Sequence, residues 1–183
     1  MSSKMSKRQI HILTLLFVVG SVGIASSLSL LGGLGIEAVS DKLLPIVPLV
    51  IILPALNSLV GDYATLIAAH AGNPSERTRT KKELVRAMLP SLLLNCVFII
   101  TMGLFLGANR GYDLSLNFVI TFILFVLLSI IIVVSAMFFI TYIIDKILEE
   151  HKLNPDDVLI PVITTISDIF MLSIIALASV YIF

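Results

Sequence analysis

Charged residues are scarce in this chain. They make up 13% of its 183 residues, against about 25% in soluble domains, and the mean hydropathy is +1.09. This excludes a water-soluble globular protein and points to an integral membrane protein. Formal net charge is zero, so there is no basic surplus of the kind that binds nucleic acid. The lone cysteine, Cys96, excludes a disulfide within one chain and any cysteine-based metal cluster. The three histidines are dispersed and add no soft ligand set. Tryptophan is absent, which leaves four tyrosines together with Lys and Arg as interfacial anchors.

Long apolar runs are what the sequence does have. A helix needs about 20 apolar residues to cross the hydrocarbon, and five segments qualify, at approximately 10–35, 44–71, 86–107, 116–145 and 157–182. The N-terminal "MSSKMSKRQIHILTLLFVVG" starts basic and turns apolar, as a signal peptide would. The apolar run continues through Ala25 and Leu30, too long for an excised segment, so a retained first span is expected. The connecting segments are short, and the expected architecture is an all-α membrane protein with one transmembrane domain over residues 1–183. Turn chemistry supports the breaks: Gly72-Asn73-Pro74 ends the second helix, and Asn154-Pro155 has the form of an N-cap followed by proline at the first helical position.

Basic residues set the expected orientation. Ten of the twelve lie at the N-terminus, in the second loop with the start of span three, or in the fourth loop, leaving only Lys42 and Arg110 on the other side. By the positive-inside rule the N-terminus is cytoplasmic and the C-terminus extracytoplasmic, and the expected location is the plasma membrane. Span four is β-branched and aromatic, suited to facing lipid. Gly20, Gly23 and Ser27 share one side of span one, and Gly61, Ala64 and Ala68 share one side of span two. Such stripes let backbones approach closely, and ordinary helix packing is the reading they support.

Polar residues at membrane depth carry the functional signal. Asp62 stands ten residues before Gly72, and Asp168 eleven after Asp157. At 1.5 Å per residue each lies about 15 Å from its cytoplasmic helix end, near the middle of a core about 30 Å thick. A carboxylate there costs ~2.5–3.5 kcal/mol on insertion scales. Thr164 and Thr165 precede Asp168 by one turn, placing three oxygens on one helix face. Ser58 and Thr65 flank Asp62 in the same way, while Asn57 points about 140° away unless the helix is irregular. Pro45, Pro48 and Pro54 interrupt span two and Pro161 interrupts span five; each proline frees a backbone carbonyl one turn earlier. Interrupted helices with acids at mid-membrane point to a transport site. Carboxylate, hydroxyl, amide and carbonyl oxygens are hard ligands suited to Mg²⁺, Ca²⁺ or Mn²⁺. Few acids suit an ion that keeps its water, as Mg²⁺ does. The candidate ligands are Asp168, Asp62, Thr164, Thr165, Asn57 and Ser58.

These residues resemble a known family. "NPDDVLIPVITTISD" is similar to the start of the last helix of the MgtE magnesium channels and transporters and of the related solute-carrier magnesium transporters. Asn154-Pro155, Pro161, Thr164-Thr165 and Asp168 carry the likeness, and "PLVIILPALNSLVGDYATLIAAHAG" resembles that family's second helix. The likeness is to the transmembrane domain of the family. It implies a homodimer enclosing a central pore in lipid, with Asp168 coordinating Mg²⁺ through water. Gly61-Asp62 departs from a more usual Gly-Asn, and Met171 stands where a glycine often follows the aspartate.

The sequence also carries partial marks of another class. Intramembrane aspartyl proteases carry Tyr-Asp, Gly-x-Gly-Asp and Pro-Ala-Leu signatures, which "GYD", "VGD" and "PAL" approach. Leu59 occupies the first glycine position, Tyr112-Asp113 falls in a loop, and "PAL" precedes rather than follows. An enzyme is therefore not expected. Transport of Mn²⁺, Co²⁺ or Ca²⁺, proton-coupled exchange, and a non-transporting membrane subunit are the remaining alternatives, and a channel and a carrier both fit these residues.

Overall fold

The computed structural model describes residues 19, 20, 23, 26–72, 81–150 and 155–183, and every regular element among them is helical. Residues 26–37 form α1. It is followed by α2 (Ser40–Leu43), α3 (Val47–Gly72), α4 (Lys81–Asn109), α5 (Leu116–Glu150) and α6 (Pro155–Tyr181). Four of these helices are long and apolar enough to cross a membrane, over Val47–Ala71, Lys82–Asn109, Leu116–Ile147 and Leu159–Tyr181. They match the last four expected spans, with helix ends displaced by at most five residues. The largest displacements arise because α4 begins and α5 ends in charged residues beyond their apolar stretches. Of the expected first span, residues 10–18, 21, 22, 24 and 25 lie outside the described residues, and so do Asn73-Pro74 and Asn154.

Local sequence accounts for the helix ends. Past the end of α4, Gly111 takes a positive φ of 80°. The amide of Gly111 donates to the Ala108 carbonyl at 2.9 Å and that of Tyr112 to Gly107 at 3.1 Å. This paired pattern is the Schellman cap, which needs glycine at the left-handed position. The next helix starts with Ser115, whose hydroxyl accepts the Phe118 amide at 3.2 Å and so satisfies one of the unpaired donors of α5's first turn. Pro155 opens α6, where a missing amide hydrogen costs nothing.

The core is built around α3, whose most extensive contact is with α6 and which also packs on α4 and α5. Leu49, Leu56, Val60, Ala64 and Ala68 of α3 are fully buried, as are Leu159, Ile163, Met171 and Ile175 of α6. Ala64 and Ala68 thus serve the packing expected of their stripe. At Gly20 and Gly23 an added Cβ would meet nothing within 4 Å, so that stripe makes no close approach to the described residues. The α1 approach to α6 occurs further along, at Gly32, where a Cβ would lie 3.0 Å from the Leu172 side chain.

Span four corrects an expectation. One stripe of α5, including Phe122, Val126, Ile130, Val133 and Met137, is buried in the core, while only its other face is left for lipid. The more exposed helix is α4, with 17% of its apolar window buried against 33% for α5. β-Branched and aromatic composition suits lipid and core equally, so composition alone could not separate them. Aromatic rings from Phe118, Phe125 and Phe183 meet at 5.5–5.7 Å between centroids, tying the end of α6 to the start of α5.

The close approach of α3 to α4 rests on two glycines one turn apart. A Cβ on Gly103 would collide with Ile52, and one on Gly107 would lie 2.6 Å from the Pro48 ring. Both neighbours are stiff, so relief requires the helices to part. Gly103→Ala and Gly107→Ala are expected to destabilise the fold by about 1–3 kcal/mol. Gly33→Ala, where a Cβ meets nothing within 4 Å, is expected to be neutral or to gain up to about 1 kcal/mol of helix propensity. Thermal unfolding in detergent, followed by size-exclusion recovery, measures both; equal midpoints for the Gly103 and Gly33 variants would contradict the packing argument.

Candidate functional site

Two adjacent rows of residues on α3, each with the four-residue spacing of one helix face, form one wall of a cavity. The first row is Leu53, Asn57, Gly61 and Thr65; the second is Pro54, Ser58 and Asp62. The opposite wall is Thr164 and Asp168 of α6, again four residues apart, and the cavity, open on one side, has a volume of about 510 Å³. Because α3 and α6 are separated along the chain by two other spanning helices, they run in opposite directions, and both acids come to the same depth.

The inner row is half-buried between the helices, whereas Pro54, Ser58 and Asp62 are exposed along the open side. Asp168 is half-buried, and Asn57 donates an amide hydrogen to its Oδ1 at 3.1 Å. The other end of that amide, Oδ1 of Asn57, is buried without a hydrogen-bond partner. Gly61 leaves room for the carboxylate: a Cβ at this position would stand 3.6 Å from Oδ1 of Asp168.

Hydroxyl groups line the remaining perimeter with their oxygens. Thr164 donates to the carbonyls of Ile160 and Pro161, at 2.9 and 3.1 Å, and Thr65 donates to that of Gly61 at 3.0 Å. A hydroxyl that spends its hydrogen on its own helix retains lone pairs, so Thr164 and Thr65 offer the cavity acceptors. Thr165 differs. It is 7% exposed, donates to the Pro161 carbonyl at 2.8 Å, and is not among the residues that line the cavity. Thr164 and Thr165 stand about 40° and 60° to either side of Asp168 on the helix, and the cavity lies on the Thr164 side.

Five of the six expected site residues, Asp168, Asp62, Thr164, Asn57 and Ser58, therefore line one cavity. Asn57 and Asp62 do so on neighbouring rows of a continuous helix, without the irregularity that the angle between them suggested. Gly61 and Thr65 complete the wall. The signal for them was present as the four-residue continuation of the Asn57 row. Tyr112 and Asp113 lie in the loop between α4 and α5 and are not among the residues that line the cavity.

The chemistry of this wall is that of hard oxygen. Two carboxylates and several hydroxyl oxygens face a cavity large enough for a hydrated ion, since six waters at about 30 Å³ each occupy roughly 180 Å³. Among the described residues no three His, Cys, Asp or Glu side chains gather into a metal-binding group. An arrangement of this kind is better suited to an ion retaining water than to one stripped by a dense cage.

Comparison with known proteins agrees in class. The family model of MgtE, described as divalent cation transporter, matches residues 63–178. The match takes in Thr164, Thr165 and Asp168 and begins one residue after Asp62. No curated protein and no solved structure matches the chain significantly. The matched segment is well over half of the chain and holds most of its spanning helices, and the protein is an integral, multi-pass membrane protein that belongs to the MgtE family of divalent cation transporters.

Proposed function

We propose that the protein moves Mg²⁺ across the plasma membrane through a pore on the twofold axis of a homodimer. Asp168 is the principal ligand and acts through the ion's retained water. The observation that carries this reading is the α3–α6 cavity, with both mid-membrane carboxylates and the Thr164 hydroxyl on its walls. The chain acts as one transmembrane domain of five spans with its N-terminus in the cytoplasm, as the ten basic residues on that side support.

The exposed row on α3 supports the dimer. Asp62 and Ser58 are open to the outside of a single chain at a depth where the surroundings are hydrocarbon, and polar groups there need protein or a wet cavity over them. A second copy related by twofold symmetry covers the same row with its own and turns two open grooves into one polar lumen. Pairing also brings two copies of Asp168 to the axis, balancing the charge of one divalent ion. The four carboxylates of a dimer exceed that charge, so the Asp62 pair is protonated, paired or matched by a second ion. Exposed Asp62 stands on the rim, while Asp168 is held between helices by Asn57.

In liposomes containing the purified protein, Asp168→Ala and Asp168→Asn are expected to abolish Mg²⁺ flux, at least a hundredfold loss, while eluting as a folded oligomer. Asp62→Asn is expected to retain substantial flux, because a neutral oxygen ligand suffices on the rim. Undiminished transport by Asp168→Ala would sink the proposal; an Asp62→Asn variant as inactive as Asp168→Asn would make both acids primary ligands. The same assay with Mn²⁺, Co²⁺, Ca²⁺ and imposed proton gradients identifies the ion and any coupling.

The dimer has its own test. Cys96 is buried and is the only cysteine of the chain, so Ser58→Cys in a Cys96→Ala background places one reactive thiol on the exposed row. A short bifunctional thiol reagent is expected to convert it to a covalent dimer in membranes, while Leu94→Cys on the outer face of α4 stays monomeric. The reverse pattern would place the partner on another face.

A further inference from the structure

Asn57 was expected as an oxygen ligand, yet its amide is turned the other way. The nitrogen end lies 3.1 Å from Oδ1 of Asp168, and the oxygen end is buried with no partner. An ionised carboxylate only accepts hydrogen bonds, so reversing the amide would set two acceptor oxygens against each other. The carboxylate thus dictates the orientation, and the Asn57 oxygen, without accessible surface, is out of reach of an ion in the cavity. A buried acceptor left unpaired is destabilising, and such a group calls for an explanation in terms of what its other end does.

Its other end occupies one oxygen of the principal ligand. Oδ1 of Asp168 is bounded by the Asn57 amide and by the bare backbone of Gly61, which leaves Oδ2 as the oxygen free to meet a hydrated ion. Divalent ions differ in how they use a carboxylate. Ca²⁺ gathers six to eight oxygens and takes carboxylates through one oxygen or two, whereas Mg²⁺ holds an octahedron, keeps several waters and takes single oxygens. A carboxylate restricted to one oxygen withholds from Ca²⁺ a mode that Mg²⁺ does not use.

We infer that Asn57 is a positioning residue for selectivity: by engaging Oδ1 of Asp168 it confines the carboxylate to one-oxygen contact and so disfavours Ca²⁺ relative to Mg²⁺. The inference rests on the proposed reading of Asp168 as the principal ligand. It assigns to Asn57 no direct contact with the ion.

The test compares wild type, Asn57→Leu, Asn57→Ala, Asn57→Gln and Asp168→Ala in liposomes, reading Mg²⁺ flux, Ca²⁺ flux and block of Mg²⁺ flux by Ca²⁺. Asn57→Leu keeps roughly the volume and removes the donor; Asn57→Ala removes the donor and leaves space, so one reading survives if the other variant fails to fold. Loss of the donor is expected to raise the Ca²⁺-to-Mg²⁺ flux ratio about tenfold, the scale of one hydrogen bond to a charged group. Asn57→Gln, which retains an amide, is expected to stay closer to wild type than either. An unchanged ratio in a folded, transporting Asn57→Leu or Asn57→Ala overturns the inference, as does an equal loss of both fluxes, which marks a merely structural role. Flux surviving in Asp168→Ala would instead overturn the site reading beneath it.

Discussion

A carboxylate halfway across a bilayer has no bulk water to hydrate it, and whatever replaces that water must come from the protein or from a cavity the protein encloses. Here the replacement is split between the two. The Asn57 amide donates to one oxygen of Asp168 from the facing helix, and the cavity between α3 and α6 leaves open space beside the carboxylate. That exchange holds only while those two helices keep the separation at which this pair of side chains meets.

That separation is set by side chains of very different size on the two sides of α3. On its core side, Ala64 and Ala68 are fully buried and allow close packing, while Leu49 and Leu56 fill the wider space beyond. On the flank facing α4, Gly103 and Gly107 let Ile52 and Pro48 come nearly to the neighbouring backbone. Between lipid tails there is no hydrophobic drive for helices to associate, so such close van der Waals contact is what holds them together. Tyr63 adds a hydrogen bond across the same flank, donating to the Ser91 hydroxyl at 2.9 Å. Held from both sides, α3 presents the Asn57 row to α6 and leaves the Asp62 row open.

The prolines and threonines act locally within this frame. Pro161 lies inside α6, and the hydroxyls of Thr164 and Thr165 both return to carbonyls at or beside it. The helix runs unbroken through Pro161, and these bonds fall on carbonyls other than the one four residues earlier that the proline leaves free. They also fix the hydroxyl rotors, so the Thr164 oxygen faces the cavity as an acceptor. The same bond made by Thr165 is structural, because that residue points into the core.

Much of this was legible in the sequence, because much of it is local. Apolar run length marked the membrane helices, Gly72 and Pro155 marked ends, and counting residues from those ends put Asp62 and Asp168 at a common depth. Four-residue spacing along one helix likewise grouped Ser58 with Asp62 and Thr164 with Asp168. What the residues could not state was which row of one helix faces which row of another. That choice depends on how glycines, alanines and bulky side chains from distant parts of the chain interlock, and it separated Thr164 from Thr165 and buried one face of α5. It also turned the Asn57 amide, nitrogen first, toward Asp168, since the orientation of an amide is determined by the charge it faces and that charge is 111 residues away.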